Sequence, residues 1–354
     1  MKVLILSCNT GGGHNSCGSY IRDELKLNNI ECDFKNYFEI VHLSKKDFSN
    51  KIYVNSLGKK GGLFKYIYKI GEAYDKTKII SPVYLVNSFY SNRLYKYIKK
   101  NHYDLVICPH LFPAQALTAI NKKHKINFIF VITDYEYHPF TDETNADYYV
   151  IPKGLEEKFI SRGVDKEKLL TFGIPISTSY INSAKDIKYP KKNILVLLGS
   201  MGFGNIKSII SDLINIENTC TTIACGKNKK LYNELQKYTN NNLKVIGFSK
   251  NINDLIKSSY IVISKPGGLS STEIATFRKG FIHVFPIPGV ETANTKYFNK
   301  HNLSFIANNK EEIINSVNTL LNDTSKYNKM IQNQKKYINS NSAKDLIEFI
   351  KSRY

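Results

Sequence analysis

Short apolar runs recur along the chain, and each stops at glycine, proline or small polar residues. Val3–Cys8 ends at Asn9-Thr10-Gly11-Gly12-Gly13, and Leu105–Cys108, Phe128–Thr133, Tyr148–Ile151 and Leu169–Phe172 repeat the form. Helices are predicted between them at about Asn15–Leu27, where Ile21 and Leu25 stand one turn apart, at about Pro113–Lys123, and at Glu156–Ile160. Strands without polar alternation are covered on both faces, so this rhythm predicts a parallel sheet between helices. Residues 173–192 break it with Gly173, Pro175, Ser177, Ser179, Asn182, Ser183 and Pro190, a linker composition. The βα rhythm then restarts with strands expected at Ile194–Leu198, Thr221–Ala224, Lys244–Ile246, Tyr260–Ser264, Phe281–Phe285 and Ser304–Ile306. The pattern therefore predicts an α/β chain of two Rossmann-like, doubly wound domains at 1–174 and 193–335, a linker at 175–192, and a polar C-terminal helix at 336–354 packing back on the first domain. Ligands of such sheets bind beyond the carboxyl ends of the strands, so a central cleft between the two domains is expected to hold the site.

Composition narrows the class. At 354 residues the chain is long enough for two domains. No stretch approaches the ~18–20 apolar residues of a spanning helix. The N-terminus, Met1–Ser7, runs straight into the glycine cluster and reads as a buried strand, not a signal peptide. Six cysteines show neither a CxxC pair nor a zinc spacing, so reduced thiols in a cytoplasmic protein are expected. The net charge is +20, and residues 41–100 hold half of that excess, with thirteen Lys/Arg against three Asp/Glu. Eleven Tyr or Phe share that stretch, among them Phe64, Tyr66, Tyr68, Phe89, Tyr90, Tyr95 and Tyr97. A cationic, aromatic-rich surface suits an anionic bilayer or a nucleic acid, and a lysine bias spread over solvated faces is the plain alternative.

Three loops carry candidate chemistry. Gly12 and Gly13 follow the first strand and open a helix at His14, so backbone N–H groups and an imidazole stand at the sheet's carboxyl edge. The loop is neither a P-loop nor a spaced GxGxxG. A near-neutral imidazole there can take a proton from a hydroxyl; a tight turn with an exposed histidine is the structural alternative. The second loop is Ser264-Lys265-Pro266-Gly267-Gly268-Leu269-Ser270-Ser271-Thr272-Glu273. It turns a buried strand into a helix start and is expected to set the Ser270–Thr272 hydroxyls and N–H groups around a phosphate, with Glu273 in the first helical turn as a cap or a ribose acceptor. A shorter loop, Gly199-Ser200-Met201-Gly202-Phe203-Gly204, ends the first strand of the same half, and two such loops suit a diphosphate. The third, Pro286–Asn294, offers Glu291, Thr292 and Asn294 for sugar-type hydrogen bonds or for capping.

Taken together these segments resemble the monogalactosyl- and glucosyl-diacylglycerol synthases of glycosyltransferase family 28, relatives of the lipid-II N-acetylglucosaminyltransferase. The resemblance also takes in Pro109-His110 through Ala116, Val131-Ile132-Thr133-Asp134 and Phe172-Gly173-Ile174-Pro175. It implies the GT-B fold and metal-free inversion at the anomeric carbon, and no Asp-x-Asp occurs in the chain. It implies that Gly267, Gly268, Leu269 and Ser270 hold the donor diphosphate, with Gly202 nearby. Glu273 would hold the ribose, Gly247 and Phe248 the uracil, and Glu291 and Asn294, beside Thr292, the sugar. His14 and Asp134 would stand at the acceptor hydroxyl, with His14 the first candidate for the base and Asp134 orienting or replacing it. Gly12, Gly13, His110 and His138 fall on the acceptor side, the two histidines as acceptor contacts or as structural residues. The family pattern has Gln where this chain has Val290. The expected activity is transfer of glucose or galactose from a UDP-sugar to diacylglycerol or a related lipid by a peripheral protein on the inner face of an anionic membrane. No cofactor, metal or nucleic acid is expected. A soluble acceptor and a lipid-II-type transfer are the competing readings.

Overall fold

The computed structural model describes residues 1–9, 12–41, 80–197 and 209–354. Gly11, the whole Gly199–Gly204 loop with Gly202, and Phe64, Tyr66 and Tyr68 of the cationic stretch lie outside the described residues. The chain divides into two compact units, one of Met1–Ser179, Pro288–Val290 and Ser340–Tyr354, the other of Tyr180–Ile287 and Glu291–Asn339.

In the first unit the strands β1 (Lys2–Ser7), β2 (Glu31–Asn36), β3 (Leu105–Cys108), β4 (Phe128–Val131), β5 (Tyr148–Val150) and β6 (Leu169–Leu170) form one sheet in the order β2-β1-β3-β4-β5-β6. Every pairing is parallel. The runs that predicted strands are the core: Val3 to Leu6, Leu105 to Cys108 and Phe128 to Val131 are almost wholly buried. The edge strand β2, Glu-Cys-Asp-Phe-Lys-Asn, is polar and only half-buried, so hydrophobicity did not signal it. The helix Gly12–Leu27 starts three residues earlier than expected. A Cβ at Gly18 would stand 3.0 Å from the Phe34 ring and 3.4 Å from Ile5, so a glycine lets this helix lie close against β1 and β2.

The stretch 173–192 is more ordered than a linker composition suggests. Gly173 turns at φ 86°, Ile174 and Ile176 are buried, and the short helix Thr178–Asn182 starts where the buried Glu24 carboxylate accepts the Thr178 N–H at 2.9 Å. The helix Ser342–Arg353 lies in the first unit. Ser342 Oγ donates to the Ile174 carbonyl and accepts the Ile176 N–H, both at 2.9 Å, and Phe349 packs edge-on against Tyr148 at 4.7 Å.

In the second unit the strands β7 (Lys192–Leu197), β8 (Thr219–Ala224), β9 (Leu243–Ile246), β10 (Ile261–Ser264), β11 (Gly280–Val284) and β12 (Phe305–Ala307) form a parallel sheet in the order β12-β11-β10-β7-β8-β9. The direction of winding reverses between β7 and β10, where a doubly wound sheet opens its ligand crevice.

Candidate functional site

In the first unit the reversal falls at β1, which pairs with β2 on one side and β3 on the other. Gly12 and Gly13 are exposed at the start of the helix Gly12–Leu27, and half-buried His14 is its third residue. His14 Nδ1 lies 2.8 Å from the Pro109 carbonyl oxygen and 2.9 Å from Thr133 Oγ1. A carbonyl only accepts, so Nδ1 carries the proton and the neutral ring keeps its lone pair on Nε2. Burial pulls the His14 pKa below its ordinary value. Asp134 and the Pro109 carbonyl act in the opposite sense, and His138 adds to the lowering. The ring is thus neutral at neutral pH, the form a proton acceptor needs.

Around it the fold gathers residues far apart in sequence. The His110 ring stands edge-on to His14 at 4.6 Å. His110 is buried, and its Nδ1 accepts the Phe112 N–H at 3.2 Å, capping the helix Leu111–Ile120. Burial first, then His14 and His138, hold its pKa well below the ordinary histidine value. Asp134 Oδ2 lies 3.4 Å from His138 Nε2. His14, Asp134, His110 and His138 therefore share one place in the first unit. Thr133 and the Pro109 carbonyl were not singled out for this place from sequence; a main-chain acceptor leaves no side-chain signature.

The same unit carries an unusual surface helix, Pro82–Phe89. Its buried residues are Tyr84 and Asn87. Asn87 donates to Gln115 at 2.8 Å, Gln115 donates to Glu143 at 2.7 Å, and Glu143 takes the Ser81 hydroxyl at 2.6 Å, while Ser81 Oγ caps the helix by accepting the Tyr84 N–H. The outward side is apolar: Leu85 is 57% exposed, Val86 42% and Phe89 79%, with Ile80 at 53% beside them. This leaves an exposed apolar patch. The next helix, Ser91–Lys100, carries Arg93, Lys96, Lys99 and Lys100.

In the second unit β10 ends at Ser264, and Lys265-Pro266-Gly267 turns into the helix Gly268–Thr276, whose cap residue Gly267 makes no side-chain cap bond. The first turn of this helix, Gly268, Leu269 and Ser270, thus stands at the sheet's carboxyl edge. Two expectations need correction. Of the three hydroxyls expected around a phosphate, only that of Ser270 is on an exposed residue. Buried Ser271 bonds His283 Nε2 at 2.9 Å, and buried Thr272 donates to the Gly268 carbonyl at 2.8 Å. The helix starts two residues before Ser270, which turns the later hydroxyls inward. For the same reason Glu273, its sixth residue, stands half-buried in the second turn and not in the first.

Phe248 is 58% exposed just beyond β9, with Lys227 Nζ 5.5 Å from its ring centre. After β11 the chain passes through positive φ at Phe285 (50°) and Gly289 (106°). Glu291 Oε2 accepts the Ile287 N–H at 2.7 Å, and Thr292 Oγ1 reaches the Ile287 carbonyl at 3.4 Å, so both residues shape this loop. Asn294 is wholly buried and donates to the Pro266 carbonyl at 3.0 Å, tying the helix Val290–Lys300 to the glycine turn. Sequence reasoning assigned no role to Lys265, whose Nζ lies 3.8 Å from Glu291 Oε2. Its signal was its place between a buried strand and Pro-Gly-Gly. Among the described residues no three His, Cys, Asp or Glu side chains gather as a metal would require.

Two parallel six-stranded sheets, one in each unit and each flanked by helices, make the GT-B fold. Solved structures share the fold: MurG from Acinetobacter baumannii at TM-score 0.65 and 15% identity, over 99% of both chains, and the calicheamicin glycosyltransferase CalG4 at TM-score 0.69 and 10% identity, over 99% of this chain and 97% of the other. The monogalactosyldiacylglycerol (MGDG) synthase model matches residues 14–176, and the glycosyltransferase family 28 C-terminal domain model matches residues 193–350. The chain belongs to glycosyltransferase family 28, with a first half of the MGDG synthase type. Its relatives include the processive diacylglycerol beta-glucosyltransferase of Bacillus cereus strain G9842, 29% identical over 92% of this chain and 87% of that protein. The protein of the same name from Staphylococcus aureus strain JH9 is 28% identical over 99% of this chain and 93% of that protein.

Proposed function

We propose that this enzyme transfers glucose or galactose, with inversion, from a UDP-sugar to the free hydroxyl of diacylglycerol or a related membrane lipid. His14 Nε2 takes the acceptor proton as the hydroxyl oxygen attacks the anomeric carbon, and the bond to the UDP oxygen breaks in the same displacement. Asp134 favours the imidazolium that forms, because its charge raises the His14 pKa. The leaving diphosphate gains negative charge, which the first turn of Gly268–Thr276 stabilises without a cofactor or metal. Glu273 takes the ribose, Phe248 the base, and Glu291 and Thr292 the sugar, while Asn294 holds the Pro266 turn in shape.

The observation that carries the lipid acceptor is the helix Pro82–Phe89, which buries Tyr84 and Asn87 and exposes Leu85, Val86 and Phe89 on the unit that holds His14. Apolar side chains beside a cationic helix fit an anionic bilayer, where each basic group near the surface contributes about 1 kcal/mol. The protein accordingly works as a peripheral enzyme at the inner face of the membrane, without binding nucleic acid. The test is a donor screen with UDP-glucose, UDP-galactose and UDP-N-acetylglucosamine on diacylglycerol in phosphatidylglycerol vesicles, read by mass spectrometry. Addition of one or more hexoses to diacylglycerol is expected. Exclusive transfer to a soluble acceptor, or N-acetylglucosamine transfer to a lipid diphosphate, overturns the reading.

A further inference from the structure

We infer that Lys265 is the cation that neutralises the donor diphosphate in this enzyme and stabilises it as the leaving group. The inference rests on the donor reading of the second unit and adds a residue to it. Lys265 is the first residue after β10, at the point where the sheet order reverses, and the Pro266-Gly267 turn and the helix Gly268–Thr276 follow at once. Its side chain is only 13% exposed, and that of Glu291 only 21%. Holding an ammonium so far out of water costs free energy unless anionic charge stands close by. Glu291 supplies one such charge at 3.8 Å, while its Oε2 also takes the Ile287 N–H at 2.7 Å.

The placement has a direction. Lys265 belongs to the loop with the helix N-terminus, and Glu291 to the first turn of the helix Val290–Lys300 that follows β11. Asn294 of that helix bonds the Pro266 carbonyl of the Lys265 loop. A positive group and the start of the helix Gly268–Thr276 thus sit together, with an acceptor carboxylate on the neighbouring helix start. A nucleoside diphosphate sugar has the matching polarity, with an anionic diphosphate followed by hydroxyls that donate. As the bond from the anomeric carbon to the β-phosphate oxygen breaks, that oxygen keeps the electron pair and gains about one unit of negative charge. The helix start brings only partial positive charge; Lys265 brings a full one. Its ammonium then exchanges part of its attraction to Glu291 for the diphosphate, which leaves the carboxylate to accept from the sugar.

The experiment compares the full-length wild type with Lys265→Met and Lys265→Arg by calorimetry with uridine, UMP and UDP, and by turnover with the UDP-sugar the wild type uses. Met keeps the side-chain stem without the charge, and thermal melting verifies the fold. For Lys265→Met the UDP Kd should rise about tenfold to a hundredfold, the loss of a charge-assisted contact. Uridine affinity should hold, turnover should fall by at least as much as UDP affinity, and the salt dependence of UDP binding should flatten. Arg should restore most of the UDP affinity. A merely structural lysine would weaken uridine and UDP alike and lower the melting temperature. That pattern, or unchanged UDP affinity and turnover in folded Lys265→Met, overturns the assignment while the donor reading stands. A wild type that binds neither UDP nor a UDP-sugar overturns both.

Discussion

Replacing His14 by alanine tests the catalytic proposal most directly. The Pro109 carbonyl, 2.8 Å from Nδ1, fixes the tautomer and leaves the Nε2 lone pair as the base. General base catalysis contributes about 10²–10⁴-fold, or about 2.7–5.5 kcal/mol at 1.36 kcal/mol per decade. His14→Ala should lower kcat on vesicle-borne diacylglycerol by that factor and leave the UDP Kd unchanged, because the residues proposed to hold the donor lie in the other unit. Thr133→Val removes only the 2.9 Å contact and keeps the Pro109 bond, so it should cost about 0.5–1.5 kcal/mol, roughly twofold to tenfold. The pH profile adds a second readout. The base form is the neutral ring, and burial lowers the His14 pKa from 6.5, so activity should stay level through neutral pH and fall only below that value. Asp134 raises the His14 pKa, so Asp134→Asn should move this acid limb to still lower pH. Radiolabelled sugar transfer across pH 4.5–8 measures all four proteins. Wild-type turnover in His14→Ala refutes the reasoning, and abolished turnover in Asp134→Asn with a mild His14→Ala effect transfers the base to Asp134.

Glu273→Ala should weaken uridine and UDP binding together, by the ~1.5–3 kcal/mol of a charge-assisted bond to a hydroxyl; unchanged calorimetric affinity in the folded variant removes the ribose assignment. Turnover should persist in excess EDTA, and loss restored by magnesium or manganese would show a metal at the leaving group. Leu85→Glu with Phe89→Glu withdraws two exposed apolar side chains, each worth about 1.5–3 kcal/mol when buried, so binding to phosphatidylglycerol vesicles should drop about a hundredfold or more while UDP binding holds; vesicle co-sedimentation equal to wild type contradicts it. Acid should destabilise the second unit through His283, whose buried ring is bonded to Ser271 and Ser304 at 2.9 Å each and whose pKa is pushed down to about 3. The folded state binds fewer protons here than the unfolded chain, so this stability is present above about pH 6.5 and is lost as pH falls toward 3, with a slope approaching 1.36 kcal/mol per pH unit. Urea unfolding at pH 7 and pH 5 should show a smaller drop for His283→Gln than for wild type.

The sequence by itself determined the strands that build the cores, because a strand buried on both faces must be apolar throughout. Leu105–Cys108 is therefore readable to the residue, and Phe128–Thr133 overran its strand by only two. The polar edge strand Glu31–Asn36, with one face in solvent, left no such run. Glycine loops after strands, a pattern that suits a close backbone approach to a ligand, stand at the carboxyl edge of β1 and of β10. What a side chain does at those edges depends on helical phase and on distant partners, and only the tertiary structure decides these. A start at Gly268 turned Ser271 and Thr272 inward and carried Glu273 into the second turn. The proton position on His14 follows from a carbonyl 95 residues away. The pairing of Lys265 with Glu291 requires β10 and β11 side by side, and the outward face of Pro82–Phe89 was set by Asn87 bonding Gln115 on another helix. Hydrophobic pattern is a local property that reports burial, whereas hydrogen bonds and charge pairs join positions that only folding brings within 4 Å.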